Sequence, residues 1–442
     1  MMAPPRHWLA LGVLLGGSVA CAQEPAPPTA FASDRRELPA PGGPAAPKAV
    51  TLDDLVGVAL ARNPRLAKAT LAIEAAHGRR LQAGLYPNPV FAVTGDELGD
   101  RTGPGGIWTA PQFNQEIVTG RKLSLSQAVA AKEVDQVTLA LLGERYALMA
   151  AVRSAFYDAY TLQRRTDLLH DLTDLARQSV ANGKKLLDGG QLARLDFVQL
   201  EIEAERLTAD LEAAERELPA AYRRLAAVAG DTGLAIPALD ASFDTPLPAY
   251  DLDRDRAILA ASHPEIISAK VGVEKSQLTL DRARAEVVPN VTVSGAYVRQ
   301  NQNKSSDWMV GVSVPLPTWN RNQGNIIAAQ AGIGSAGQEV RRTENALADQ
   351  LATAHRTYAS AKRRAERYAQ SIIPKTEETF RLSTEAFKGG QFEYLRVLQS
   401  QRALAESRLE YVRAAGEAWK AAGEISGLLL EETWPPRSAV KR

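Results

Sequence analysis

Few side chains in this 442-residue sequence could do chemistry, and their spacing favours none of the usual reactions. The histidines are His7, His77, His170, His263 and His355, and no two stand at the close spacing that brings imidazoles onto one zinc ion. Cys21 is the only cysteine, so no disulfide can form within one chain. Beyond the first two residues the methionines are Met149 and Met309, too few for a thioether route for soft Cu(I). No phosphate-binding loop and no Gly-x-Ser-x-Gly elbow occurs, and Thr102–Gly106 (TGPGG) lacks the strand-to-helix setting of a phosphate site and reads as a turn. The sequence is therefore read as a non-enzyme without a cofactor or a metal site. Lys plus Arg is 52 and Asp plus Glu is 51, with no basic block, so nucleic acid is not an expected partner.

What remains is a repeated word. Gly189-Gly190-Gln191 and Gly389-Gly390-Gln391 lie 200 residues apart, and each is followed at the same spacing by a leucine (Leu195, Leu395) and a glutamine (Gln199, Gln399). The offset recurs. Asn63-Pro64 answers His263-Pro264, Trp108 answers Trp308, and Gly120-Arg121 answers Asn320-Arg321. Pro87-Asn88 and Pro289-Asn290 correspond with a slip of two. The chain is a duplication, with halves at 51–235 and 251–431.

The periodicity changes in the same order within each half. A short helix, a proline and a helix of about 22 residues come first (64–85 and 264–287). Two stretches of strand-like alternation follow: VFAVTGDEL and IWTAPQFNQEIV, then VTVSGAYV and WMVGVSV. In the second stretch Trp108 falls on the polar parity, so Pro111 has to mark a bulge or a change of register. Helical spacing then resumes. From Arg121 to Leu187 there is no proline, and ~67 residues at 1.5 Å each predict roughly 100 Å of helix. Apolar residues from Phe197 to Val228 keep the same spacing, with most of their counterparts 200 residues on, as in coiled-coil packing. Each Gly-Gly-Gln is then the hairpin tip where a long helix turns back on its partner.

The first residues read as an export leader, a basic start followed by the apolar run LALGVLLGGSVA, too short to span a bilayer. Ser18-Val19-Ala20-Cys21 fits a lipobox, with Cys21 the lipidated first residue. Ala20-Cys21-Ala22 fits ordinary signal cleavage, which would discard the cysteine. Residues 1–21 are thus a signal peptide, 22–50 a Pro/Ala-rich linker and 432–442 a tail. Four strands in two hairpins leave open sheet edges, and an Ala-rich helical hairpin has too thin a core to stand alone. Both problems disappear if several chains assemble, close the strands into one barrel in outer-membrane lipid and pack the helices into a tube. Trp108, Tyr297, Trp308 and Trp319, near the strand ends, would form its aromatic girdle.

Taken together, ALARNPRL (59–66), LYPNPVF (85–91), FNQEIVTGRK (113–122), VSVPLPTWNRNQG (312–324) and the two tips with their LDFVQ and LRVLQ sequels resemble the TolC-type outer-membrane efflux proteins. Within that family the sequence is most similar to the CzcC-like and CusC-like components of heavy-metal efflux. The resemblance covers about residues 51–430. It implies a mainly α fold: a homotrimer with a periplasmic α-barrel and a twelve-stranded outer-membrane β-barrel, four strands from each chain. It implies a passive exit duct of a tripartite system, docked by its tips on a periplasmic membrane-fusion adaptor that links to an inner-membrane pump. Gly189, Gly190, Gln191 and Leu192, with Gly389, Gly390, Gln391 and Phe392, are the implied adaptor contacts. The family places an aspartate past each tip to narrow the tunnel. Asp196 fits that place in the first half, whereas Arg396 occupies it in the second, so the gate is expected to be an Asp196–Arg396 pair. A duct of this fold for drugs or protein secretion, and a periplasmic coiled-coil lipoprotein without a pore, are the alternative readings.

Overall fold

A computed structural model describes residues 49–99, 106–301, 303–390 and 393–435. The leader, Cys21 and most of the linker lie outside the described residues, as do Gln391 and Phe392.

Helices α1 (Leu52–Arg62) and α2 (Pro64–Ala83) are separated by a single residue, and so are α5 (Leu252–Ser262) and α6 (Pro264–Ala285). The separating residue is Asn63 in one case and His263 in the other, and each side chain accepts the amide two residues on. The proline that follows each of them is at the first helical position, where its missing N–H costs nothing. Thr51 and Asp54 start α1 with a reciprocal capping box.

The proline-free stretch forms one helix, α3 (Lys122–Asp188), of 67 residues. It packs antiparallel on α4 (Arg194–Ala229). The second half departs from this plan. There α7 (Gln323–Arg367) passes through a wide π turn, Tyr368–Ile372, into α8 (Ile373–Lys388), which packs on α9 (Tyr394–Leu428). Pro374 lies just past the turn. Proline has no N–H to give to the previous turn, and its ring crowds the carbonyl behind it; a widened turn accommodates both defects without ending the helix.

Strands β1 (Val90–Asp96), β2 (Ile107–Ile117), β3 (Val291–Gln300) and β4 (Ser306–Ser313) form one antiparallel sheet in the order β1-β2-β3-β4. The hairpins from the two halves are thus joined through β2 and β3, from Ile117↔Val291 to Ile107↔Gln300.

The core is thickest where the connector between the halves crosses the long helices. Phe156, Tyr157, Tyr160 and Trp419 are buried there with Leu55, Leu225 and Leu239. Gln163 ties the connector down: its Oε1 accepts from the Leu239 amide at 2.8 Å, and its Nε2 donates to the Leu239 carbonyl at 3.1 Å. Two segments expected to be loose are held in this belt. Val50, at the end of the linker, exchanges backbone hydrogen bonds with the connector at Ala238 and Asp240. Trp434, in the expected tail, packs against Tyr157 and Trp419 and donates its indole N–H to the Tyr157 hydroxyl at 3.1 Å.

Candidate functional site: a two-faced sheet and a pair of helical tips

Residues paired across a sheet share a face, so the register sorts the side chains. One face carries Phe91, Phe113 and Ile117, with Val291, Val293 and Tyr297 beside them and Trp308, Val310 and Val312 on β4. The opposite face carries Gln112, Asn114, Glu116, Thr292, Ser294 and Ser313. Trp308 and Val310 are each 81% exposed, which no ordinary sheet core would permit. The alternation of an apolar and a polar face is what a barrel wall between lipid and water requires.

Trp108 joins the apolar face through an irregularity. The β2–β3 register shifts between Thr109 and Gln112, across Pro111, so that Trp108 pairs with Arg299 on the face of Phe113 and Tyr297. Without the shift its odd spacing from Phe113 would turn it to the polar side. Trp108, Tyr297 and Trp308 sit at the loop end of the sheet, where Tyr297 and Trp308 pack edge to face with centroids 5.5 Å apart. Trp319 lies beyond the other end of β4 and is 90% exposed. Among the described residues no helix is long and apolar enough to cross a membrane.

The tips are built alike. Gly189 and Gly389 cap α3 and α8, and Gly190 and Gly390 adopt φ +70° and +71°, a left-handed backbone that favours glycine. Their amides close back on the preceding turn, from Gly190 to Leu187 and from Gly390 to Phe387, both at 3.0 Å. Gly189, Gly190, Gln191, Gly389 and Gly390 are exposed. Leu192 is not. It is buried with Phe197 and Leu200, and Tyr394 from the other tip packs on the same cluster. Tyr394 in turn meets Phe387 edge to face at 5.0 Å.

The two tips therefore lie side by side, with a groove between them lined by Leu186, Gln191, Asp196, Lys388, Glu393 and Tyr394. Asp196, half-buried in the first turn of α4, borders that groove. Arg396, exposed in the first turn of α9, does not.

Sequence reasoning missed Gly183 and Arg153. A Cβ on Gly183 would come within 2.6 Å of Leu200, so this glycine lets α3 and α4 close up above the tip. Spacing offers no sign of it, because it lies inside the last turns of α3 and ends nothing. Arg153 is 1% exposed in the belt. It donates to the Ser426 hydroxyl at 2.8 Å and to the carbonyls of Glu431 and Glu432 at 3.0 and 3.1 Å, and its guanidinium lies over the Trp434 ring at 4.9 Å. Burial lowers its pKa, offset in part by Glu431. It straps the C-terminal segment to α3.

Residues 257–429 match the family described as Outer membrane efflux protein. The cobalt-zinc-cadmium resistance protein CzcC of Cupriavidus metallidurans is 25% identical over 382 residues, covering 86% of this chain and 90% of that protein. A membrane protein of Pseudomonas aeruginosa superposes with a TM-score of 0.75 at 20% identity, over 86% of this chain and 92% of its own. CusC, solved in a study of its folding and transmembrane channel formation, superposes at 0.71 and 19% identity, over 86% and 91%. Residues 257–429 thus carry the match to the outer membrane efflux protein family, and the chain shares the fold of these solved outer-membrane channels.

Proposed function

We propose that the chain is one protomer of a homotrimeric exit duct that passes divalent heavy-metal cations through the outer membrane. Its partners are two further copies of itself, a periplasmic membrane-fusion adaptor and an inner-membrane pump. The observation that carries this reading is the sheet: β1 and β4 are its two edges, and one face is polar while the other is apolar and exposed. An open edge of this kind needs a partner strand. Three copies joined edge to edge close a twelve-stranded barrel with lipid outside and water inside. Trp108, Tyr297 and Trp308 would mark one membrane interface and Trp319 the other.

The duct is passive. It does no covalent chemistry, and selectivity resides in the pump and adaptor. The exposed backbone at Gly189–Gln191 and at Gly389 and Gly390 offers the adaptor a small polar contact. Asp196 and Arg396, on neighbouring protomers around the tunnel mouth, would bias its closure through a solvated pair worth about 0–1 kcal/mol. The metal-cation class rests on the similarity to the cobalt-zinc-cadmium resistance protein.

The test is complementation. A host lacking its own duct, supplied with this chain and its cognate adaptor and pump, should regain growth on cobalt, zinc or cadmium, and the protein should run as a heat-modifiable trimer from outer-membrane fractions. Rescue against drugs alone would overturn the metal assignment and leave the duct. A monomer without conductance in planar bilayers would overturn the duct itself. In the same bilayers Asp196→Ala and Arg396→Ala should raise conductance; no change in either removes the gate.

A further inference from the structure

The two halves differ at the joint where one helix meets the next end to end. In the first half the joint between α2 and α4 is sealed. Asn63 caps α2 and its Nδ2 donates to the Val228 carbonyl at 2.9 Å. Gly230 presses so close that a Cβ there would stand 2.8 Å from the Asn63 Cα. In the second half, between α6 and α9, His263 takes the place of Asn63, and a cavity of about 530 Å3 opens beside it, walled by α3 and α7.

His263 is 5% exposed. Its Nδ1 accepts the Glu265 amide at 3.3 Å, which makes Nε2 the protonated nitrogen of the neutral ring. No group of the described residues accepts from Nε2, although the ring lines the cavity. The floor is apolar, with Leu347 and Leu430, and the mouth carries the exposed side chains of Glu265, Asp349 and Glu424. None of these three carboxylates appears in an ion pair among the described residues, and no lysine or arginine lines the cavity. Arg342 is committed to Glu339 through two bonds of 2.7 and 2.5 Å, and it is Glu339 first, with Glu265 a lesser influence, that raises its pKa. The places answering Glu265 and Glu424 in the first half hold Arg65 and Arg224. The scaffold accepts either sign, so the acid is not required by the fold.

We propose that this cavity is a binding site for an organic cation with a compact apolar body and an oxygen acceptor. The positive charge is held at the mouth by Glu265, Asp349 and Glu424, the body rests on Leu347 and Leu430, and the oxygen accepts the His263 Nε2 proton. The apolar floor argues against a hydrated metal ion, and no three His, Cys, Asp or Glu side chains of the described residues converge as a metal site. The proposal stands apart from the metal-cation reading of the duct and does not rest on it.

Berberine is a suitable probe. It is a planar, permanently charged cation with ether oxygens, and its fluorescence rises in apolar surroundings. Titrated into the full-length protein in a non-ionic detergent, it should give saturable binding at one site per chain. Asp349→Asn combined with Glu424→Gln should weaken that binding about tenfold or more. Both side chains are exposed and outside every ion pair found, so the double variant should keep the wild-type thermal midpoint. His263→Asn, which installs the capping residue of the first half, should weaken binding severalfold, while Glu378→Gln on α8 should leave it unchanged. Non-saturable uptake, or equal affinity in wild type and double variant, would overturn the site. Displacement of berberine by equimolar zinc would overturn the ligand class.

Discussion

Gly230 and Leu430 hold the same place in the two halves, 200 residues apart, and both have a left-handed backbone, φ 86° and 60°. Each is followed by the same closing bond, Asp231 to the Ala226 carbonyl at 3.1 Å and Glu431 to the Ser426 carbonyl at 2.9 Å. Glycine is needed only at the first. There a Cβ would meet the Asn63 backbone, whereas Leu430 faces the cavity. Gly230→Ala therefore combines left-handed strain with a backbone clash and should cost about 2–4 kcal/mol. Leu430→Ala keeps its backbone and trims a half-buried side chain, so it should cost less. Thermal midpoints in detergent check the order, and a Gly230→Ala protein as stable as Leu430→Ala would refute the account of the sealed joint.

The long helices, the tips and the strands were legible because each rests on a local signal. A proline-free apolar period makes α3, paired glycines end it, and alternation from Val291 to Tyr297 makes β3. The Trp108 parity conflict pointed to Pro111, and the register does shift there. The π turn at Tyr368–Ile372 was carried by Pro374 but was masked by the exact offset of the tips, which suggested that the two long helices were alike. The turn word around Leu192 suggests a surface residue, but Leu192 is buried in a cluster on which Tyr394 from the other half also packs, and a pairing of segments 202 residues apart leaves no local signal. Arg153 and His263 were silent for the same reason. The partners of Arg153 lie more than 270 residues further along the chain, and the cavity beside His263 is walled by α3 and α7, so nothing local in the sequence marks either residue.

Glu431 supplies a pH test. Burial raises its pKa above the ordinary carboxylate value, with opposing contributions from the Tyr250 hydrogen bond and Arg153. A carboxyl whose folded pKa is raised contributes stability that is fully present below its unfolded value near 4.5 and is lost as pH rises through the folded value. At neutral pH the ionised group thus works against the belt. Glu431→Gln keeps an acceptor for the Tyr250 hydroxyl, 3.1 Å away, and removes the buried charge. Its thermal midpoint should exceed that of wild type at pH 7.5, and the gap should shrink toward pH 4. A gap that widens in acid would contradict the sign.

His263 shifts the other way. Burial lowers its pKa below 6.5, so its contribution is complete above that value and is lost as pH falls through the folded one. His263→Asn should flatten the loss of thermal midpoint between pH 7 and pH 5. An unchanged slope would place the acid sensitivity elsewhere.

The two faces of the sheet predict opposite tolerance to charge. Val310 is 81% exposed on the apolar face, at mid-strand. An arginine there would meet hydrocarbon and should cost about 2–4 kcal/mol. Thr292, on the opposite face, would place the same arginine toward water. Outer membranes from cells expressing Val310→Arg should hold little heat-modifiable trimer, and those with Thr292→Arg a normal amount. Equal assembly of both would mean that the apolar face does not meet lipid.

Leu192 and Leu195 separate support from contact at the first tip. Leu192 is 7% exposed and Leu195 is 69% exposed, three residues further on. Truncating Leu192 to alanine opens a hole under the turn and should cost about 2–5 kcal/mol. The loss falls on a small cluster at a helix end, so it should appear as local opening and not as global unfolding. Limited proteolysis should then cut Leu192→Ala between residues 186 and 196 well before wild type, while its trimer in the outer membrane stays intact. Leu195→Ala removes no internal contact and should resist protease like wild type. If Leu195→Ala nevertheless loses metal resistance, the defect lies in what the tip touches. If only Leu192→Ala does, an ordered turn is what the proposed adaptor contact needs.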